Sequence, residues 1–547
     1  MSTSTGRTPD AATPPAGADR TSPASTPPPS AEGSGAMTHR QTLEALSGML
    51  LAMFTAFLSS TIVSNALPTI IVDLDGTQNQ YTWIVTATLL ASTATTPIWG
   101  KLSDLVSKKL LVQLAIGIFT IGSIGAGFAH SVEVLIAWRV LQGLGLGGLQ
   151  ALIMIVVAAM ISPRERGRYT GPIAGVMSVA PVAGPLIGGL IVDTDWLGWR
   201  WCFWVGAPLA VVSLVLVQRT LNLPVVKRPV HIDYLGAALI AGGVSDLLIW
   251  ITLGGNRFAW GSPTSLWLAA LGVALLAAAV VVESRVKEPI IPLRLFRDRT
   301  TTLATIGSIS VGVALFGSAV FLGQYFQIAR GYTPTAAGLL TLPMIIGSTL
   351  SSIASGQLIT RFGRWKGFLV AGSVLMVVGF GLLATTDHDT DMVLIGAYLL
   401  LLGVGMGMTM QNTVLAVQNS VAVRDLGAAT STVTFFRSLG GTAGVSVLGA
   451  VLATHVADLI ARGLATAGIP VPGDAAAGGV GIGSLDRLPA PVAEIVRSSY
   501  GDATALVFLI AAVLSVVTVV TVALIREVPL RTGVGDEPPA GARTAAR

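Results

Sequence analysis

From about residue 48 to about residue 525 the chain repeats one pattern, an apolar run of roughly 20 residues followed by a short polar break. Inside a bilayer no water is present to hydrogen-bond the backbone, so runs of this kind are confined to helices that satisfy their own N–H and C=O groups. The expected fold is an all-α membrane protein. Composition agrees, with 52% of the 547 residues hydrophobic and 11% charged. In a soluble chain a net charge of +5 would point to nucleic acid, whereas here each charge must first be assigned to a side of the membrane.

The pattern predicts fourteen transmembrane helices, at about 48–70, 80–99, 110–129, 133–160, 170–192, 199–217, 234–254, 265–283, 302–323, 336–359, 367–385, 393–415, 429–453 and 504–525. With the N-terminus inside, most of the 33 Lys and Arg fall in inner segments, including Lys108 to Lys109, Arg164 to Arg168, Arg285 to Arg299 and Arg361 to Lys366. The positive-inside rule then places both termini in the cytoplasm of a multi-pass protein of the cell membrane. Residues 1–46, rich in Pro, Ser, Thr, Ala and Gly, are expected to be a disordered cytoplasmic tail, and 527–547 a second tail. No secretory signal is expected, because the first apolar run starts late and is too long.

Within this pattern GKLSDLVSKK, Gly100 to Lys109, returns 256 positions later as GQLITRFGRWK, Gly356 to Lys366. Each copy is a short basic loop between two apolar runs, as a duplicated transporter would show. Six spans plus an inserted pair account for the offset. The expected organisation is a six-helix half at 47–218, an inserted helix pair with its linkers at 219–300, and a second six-helix half at 301–526 that includes a loosely ordered outer loop at 454–503 with one short helix near Pro491 to Ser499.

Some signals are set aside. Cys202 is the single cysteine, so no internal disulfide forms, and small filler is its expected role. His39, His130, His231, His388 and His455 have no metal-ligand spacing. Gly143, Gly145 and Gly148 spell GxGxxG, but within an apolar span they read as a surface for close helix packing rather than a nucleotide turn. Gly184, Gly188 and Gly189, and Gly440, Gly441 and Gly444, read the same way.

RVLQGLGLGG from Arg139, SVAPVAGPLIGGL from Ser178 to Leu190, TIVSNALPTI from Thr61 to Ile70 and the loop GKLSDLVSKK together resemble the major facilitator superfamily, and within it the fourteen-helix drug:proton antiporter branch of multidrug exporters. SPRERGRY from Ser162, GWRWCFWV from Gly198 and RGYTPTAAGL from Arg330 support the match. The resemblance runs from about Ala45 to Arg526. It implies two halves rocking about a central site, and it makes Gly184, Pro185, Gly188 and Gly189 the motif associated with antiporters. It implies no enzymatic activity and no cofactor beyond the proton gradient. The expected partners are the lipid bilayer, protons and an amphipathic small molecule, with no nucleic acid, and a monomer is expected.

Against that family pattern the loop copies are degenerate in complementary ways: the first keeps Asp104 but has Leu105 and Ser107, and the second has Thr360 but keeps Arg361 and Gly363. Gly100, Asp104, Lys108, Lys109, Arg361 and Arg364 are the candidates for a conformational latch, in which Asp104 pairs with Lys108, Lys109 or a helix N-terminus of the opposite half; a solvated turn is the alternative. Arg139, inside the fourth span, is a candidate for coupling or cavity electrostatics, or else an interfacial anchor. Arg437 is a weaker one. Ser59 and Ala158 stand where relatives often carry acids, so the coupling carboxylate is in doubt; Asp246 is the acid deep in a span, either a proton carrier or a packed polar residue. Ser60, Thr61, Ser64 and Asn65, with Trp83, Tyr325, Met406 and Gln411, are candidate cavity residues, although helix packing and an aromatic belt explain the same residue types.

The expected function is proton-driven export of drugs, antibiotics or other amphipathic organic compounds by alternating access. Uptake of a nutrient and a lipid-handling role of the same fold are the alternatives. An Arg, Ala, Gly and Val bias hints at a high-GC bacterium.

Overall fold

The computed structural model describes residues 39–531 except 76–77, 162–164, 166–168, 193, 195, 222–232, 255–257, 287–288, 333 and 470–488. The first half consists of α1 (His39–Asp73), α2 (Gln78–Leu105), α3 (Lys108–Gly127), α4 (Val132–Met160), α5 (Thr170–Val192) and α6 (Trp201–Thr220). Next come α7 (Tyr234–Leu253) and α8 (Pro263–Arg285). The second half consists of α9 (Arg299–Gln324), α10 (Leu342–Phe362), α11 (Lys366–Leu383), α12 (Met392–Ser420), α13 (Leu426–Thr466) and α14 (Ala490–Leu524). A π-turn, Tyr325–Ala329, extends α9, and a short helix, Pro334–Leu340, precedes α10. Among the described residues there are no strands beyond one isolated bridge, and twelve helices are long and apolar enough to cross a membrane.

Local chemistry sets several helix ends. Ser131 accepts the Val134 N–H to open α4, and Asp298 accepts the Thr301 N–H at 2.9 Å to open α9. α10 ends at Gly363, whose φ of +69° is the left-handed geometry a glycine adopts without strain. Leu266, Trp267, Val273 and Val280 leave α8 with an exposed apolar surface, which hydrocarbon rather than water would cover.

Packing within the halves follows the duplication. α4 sits between α2 and α3 as α12 sits between α10 and α11, and α1 joins α5 and α6 as α9 joins α13 and α14. The halves meet where α2 and α4 touch α13 and where α5 touches α10. The inserted α7 packs on α8 and also on α2 and α13: Ile240, Val244 and Leu248 share one apolar cluster with Leu90, Ile98 and Phe435.

Three boundaries are corrected. Of the expected tail, 1–38 lies outside the described residues, but 39–46 forms the first turns of α1, where Thr42, Ala45, Leu46 and Met49 are buried at helical spacing. The expected loose loop at 454–503 is helical at both ends, since α13 continues to Thr466 and α14 starts at Ala490. Val456, Ile460 and Leu464 on one helix pack with Val492 and Val496 on the other. The second tail docks as far as Arg531, which is 6% exposed and donates to the carbonyl oxygens of Asn419 and Val421.

Candidate functional site

The first loop copy is built into the junction between the halves. Gly100 lets α2 lie against Ser431 of α13, where an added Cβ would come within 1.9 Å of the serine oxygen. One turn on, the Asp104 carboxylate accepts the Gly427 N–H at 3.0 Å and the Ala428 N–H at 2.9 Å. These are second and third residues of α13, whose N–H groups have no partner inside the helix and carry the positive end of its dipole. Gly427 is required as well, because a Cβ there would lie 2.3 Å from the carboxylate. Asp104 lies beyond the apolar span of α2; burial pushes its carboxyl up to about 7, with the Ala428 N–H, Lys108, the Gly427 N–H and Lys101 pulling the other way. Lys108 donates to the Ser103 carbonyl at 3.0 Å, and Lys109 donates to the Gln218 carbonyl at 2.7 Å, which ties the loop to α6.

The second copy faces its own half. The N–H groups of Trp365 and Lys366 both donate to Glu527, at 2.8 and 3.1 Å, and the Trp365 indole donates to the Val528 carbonyl. Arg361 lies over the Phe362 ring, while Arg364 lines a 790 Å³ cavity with Phe362, Met408 and Glu527. The structure therefore does not bring Arg361 or Arg364 to Asp104.

Arg139 is 1% exposed and donates to the Ile84 carbonyl at 3.1 Å and to Gln142 at 2.6 Å, while Gln142 donates to Ser123 at 2.6 Å. Its guanidinium thereby joins α2, α3 and α4 inside the first half. Gln142 was missed in the sequence, although its spacing of three residues from an intramembrane arginine is the signal that could have found it. Arg437, in the first third of α13, has no side-chain hydrogen bond or ion pair among the described residues.

The glycine motifs place the helices. Gly184 and Gly188 of α5 lie on Thr61 and Ile62 of α1, and Thr61 donates to the Ala180 carbonyl at 3.3 Å. Gly143 and Gly147 face the α2 carbonyls of Thr88 and Ser92, and Gly145 faces α3. The second half repeats this 260 residues later: Gly403 and Gly407 face α10 carbonyls, and Gly405 faces α11. The sequence reading overlooked that second set despite its matching spacing.

Other candidates divide. Ser60, Trp83 and Gln411 are half-buried, whereas the side chains of Ser64, Asn65, Pro185 and Gly189 lie outside the described residues. Tyr325 and Met406 are packed inside the protein in this conformation. Tyr325 is 1% exposed, with its hydroxyl donated to the Asp387 carbonyl at 2.7 Å, and Met406 is buried in the second-half core. Aromatic and thioether side chains serve a packed core as readily as a ligand pocket.

Tyr325 belongs to a cluster at the end opposite Asp104. Arg330 donates to the His388 and Thr390 carbonyls, and His388 bonds Asp502 at 3.0 Å, a contact that raises the imidazole's affinity for its proton. At the Asp104 end, Asp425 pairs with Arg294 at 2.7 Å, and Glu283 and Asp233, both buried, flank Gly236 with one oxygen each that lacks a hydrogen-bond partner. Asp246 of α7 turns toward Gly272 of α8, with Oδ2 buried and unpartnered.

The Major Facilitator Superfamily profile matches residues 49–445. An uncharacterised MFS-type transporter of Mycobacterium tuberculosis is 36% identical over 491 residues, 89% of this chain and 70% of its own. The multidrug transporter protein MdtP of Bacillus subtilis is 35% identical over 415 residues, 76% of each chain, and the efflux pump dotC of Dothistroma septosporum is 34% identical, covering 84% and 79%. Among solved structures, the human organic anion transporter MFSD10 shares the fold with a TM-score of 0.54 at 14% identity, covering 86% of this chain and 99% of that one.

Proposed function

The chain belongs to the Major Facilitator Superfamily, a family of transporters and not of enzymes, and from that premise we propose that it is a proton-coupled secondary exporter of amphipathic organic compounds. In this reading fourteen helices span a bacterial cell membrane with both termini in the cytoplasm, and the Asp104 end faces inward. The observation that carries it is the docking of Asp104 on the N-terminus of α13: the only carboxylate of the duplicated loops belongs to one half and its two N–H donors to the other. A cycle that opens the inner end must break both bonds, and one that closes it must remake them.

The rest of the cycle follows from where contacts are rigid. Gly184 and Gly188 hold α5 on α1, and the glycines of α4 and α12 hold each half together, so each half moves as a body. Amphipathic substrate enters from the cytoplasm or the inner leaflet when Asp104 is undocked, and leaves on the other side when it is docked. The names of the bacterial and fungal relatives, a multidrug transporter and an efflux pump, support export over uptake. Asp246 is the proton carrier in this reading, since it is the acid deep in a span and one of its oxygens is unpartnered.

The test uses everted vesicles with the full chain. A pH gradient, acid inside, drives accumulation of a fluorescent amphipath, a protonophore abolishes it, and Asp246→Asn uncouples the two. Accumulation that ignores the protonophore would overturn proton coupling.

A further inference from the structure

The membrane interior of the two halves contains no carboxylate. Below the rim residue Glu133, the apolar stretches of α1, α2, α4, α5, α9, α10, α12 and α13 carry two charged residues, Arg139 and Arg437, and both are cations. They differ in what surrounds them. Arg139 is closed off and hydrogen-bonded to Ile84 and Gln142. Arg437 makes no side-chain hydrogen bond or ion pair among the described residues, is enclosed by the bundle, and nonetheless keeps accessible surface. A side chain meets both of the last two conditions when it lines an internal cavity.

A guanidinium held deep in a membrane protein without an acceptor is costly, and such a charge is retained where an anion comes to meet it. No acid of the core can do so, for there is none. An organic cation approaching the same cavity would meet like charge and no carboxylate.

We infer that Arg437 is the anchor of an anion-selective substrate site, and that the transported compounds join an apolar body to a carboxylate, sulfonate or similar planar anionic group. The planar fork of the guanidinium matches such a group with two parallel hydrogen bonds. This inference rests on the exporter reading for the direction of movement alone; the ligand's charge is independent of direction.

The experiment compares three probes with one apolar body: pyrenebutyrate, the neutral pyrenebutanol and the pyrenebutyl-trimethylammonium cation. Binding to the purified full chain is read by energy transfer from tryptophan to pyrene, with unfolded protein as the baseline. Wild type binds the anion about tenfold or more tighter than the cation. Arg437→Gln loses about that factor for the anion and leaves the alcohol unchanged, while Arg437→Lys retains a preference for the anion. Equal or tighter binding of the cation to wild type overturns the inference without any variant, and so does unaltered binding of the anion to Arg437→Gln. Vesicle uptake of the preferred probe then reports direction separately: an anion that binds but is not exported counts against export and leaves the anion site standing.

Discussion

At the scale of single residues the molecule is governed by where buried charges find acceptors. Asp104 in an open, hydrated loop would titrate near its ordinary 3.8, and burial in the docked state lifts it to about 7. Docking therefore takes up a proton between those values: the docked state gains as pH falls from about 7 and loses that gain as pH rises through about 7. Spin labels placed across the α2 and α13 ends should report an undocked population that grows as pH is raised from about 4 to about 7 and levels off above that, and Asp104→Asn should remove that pH dependence. Gln142→Leu should destabilise the first half by about 1–3 kcal/mol, because it strips Arg139 of an acceptor in a place without water; thermal unfolding of the purified chain would measure it. Residue roles were partly legible. Asp104 stood out as the lone acid of two basic loops, but its partners lie 323 and 324 residues away and no local pattern names them. For Tyr325 and Met406 residue type left cavity and packing both open, because it reports chemistry and not address, and both side chains are buried here.

At the scale of elements, small residues decide which helices meet. An added Cβ at Gly143 would stand 2.4 Å from the Thr88 carbonyl oxygen, and one at Gly403 would stand 2.0 Å from that of Met344. Gly143→Val or Gly403→Val should push the helices apart at a cost of at least about 1–3 kcal/mol, read as a lower unfolding temperature, whereas the same change at Gly117, which has open space around it, should be tolerated. Helix existence was plain from apolar runs of bilayer length. The ends of α13 and α14 were not, since abundant Gly, Ala and Pro between 454 and 503 masked two short apolar stripes. Val456, Ile460 and Leu464 recur at every fourth residue and find Val492 and Val496 opposite. At 41 residues α13 is about 60 Å long, roughly twice the hydrocarbon thickness, so this paired extension stands clear of the membrane. Ile460→Asp should loosen it, and limited proteolysis should then cut between the two helices faster than in wild type.

At the scale of the whole molecule, α7 and α8 are more than a spacer. α7 packs on both halves, and Arg294, just after α8, holds Asp425 at the start of α13. Arg294→Ala should shift the balance between docked and undocked states, and the same spin labels would detect it, with an unchanged distance distribution counting against the link. The overall plan was readable from the repeat of the basic loop, and the seam between the halves was not, because a repeat shows that two parts are alike and says nothing of how they face each other. The second loop copy, fixed to Glu527 and Val528 of its own half, makes the most of that difference. Duplication would have given the chain two equivalent clutches, and a machine with two could slip at either. In the proposed cycle the second loop, held on its own chassis, leaves a single clutch at Asp104, so one event would time the whole stroke.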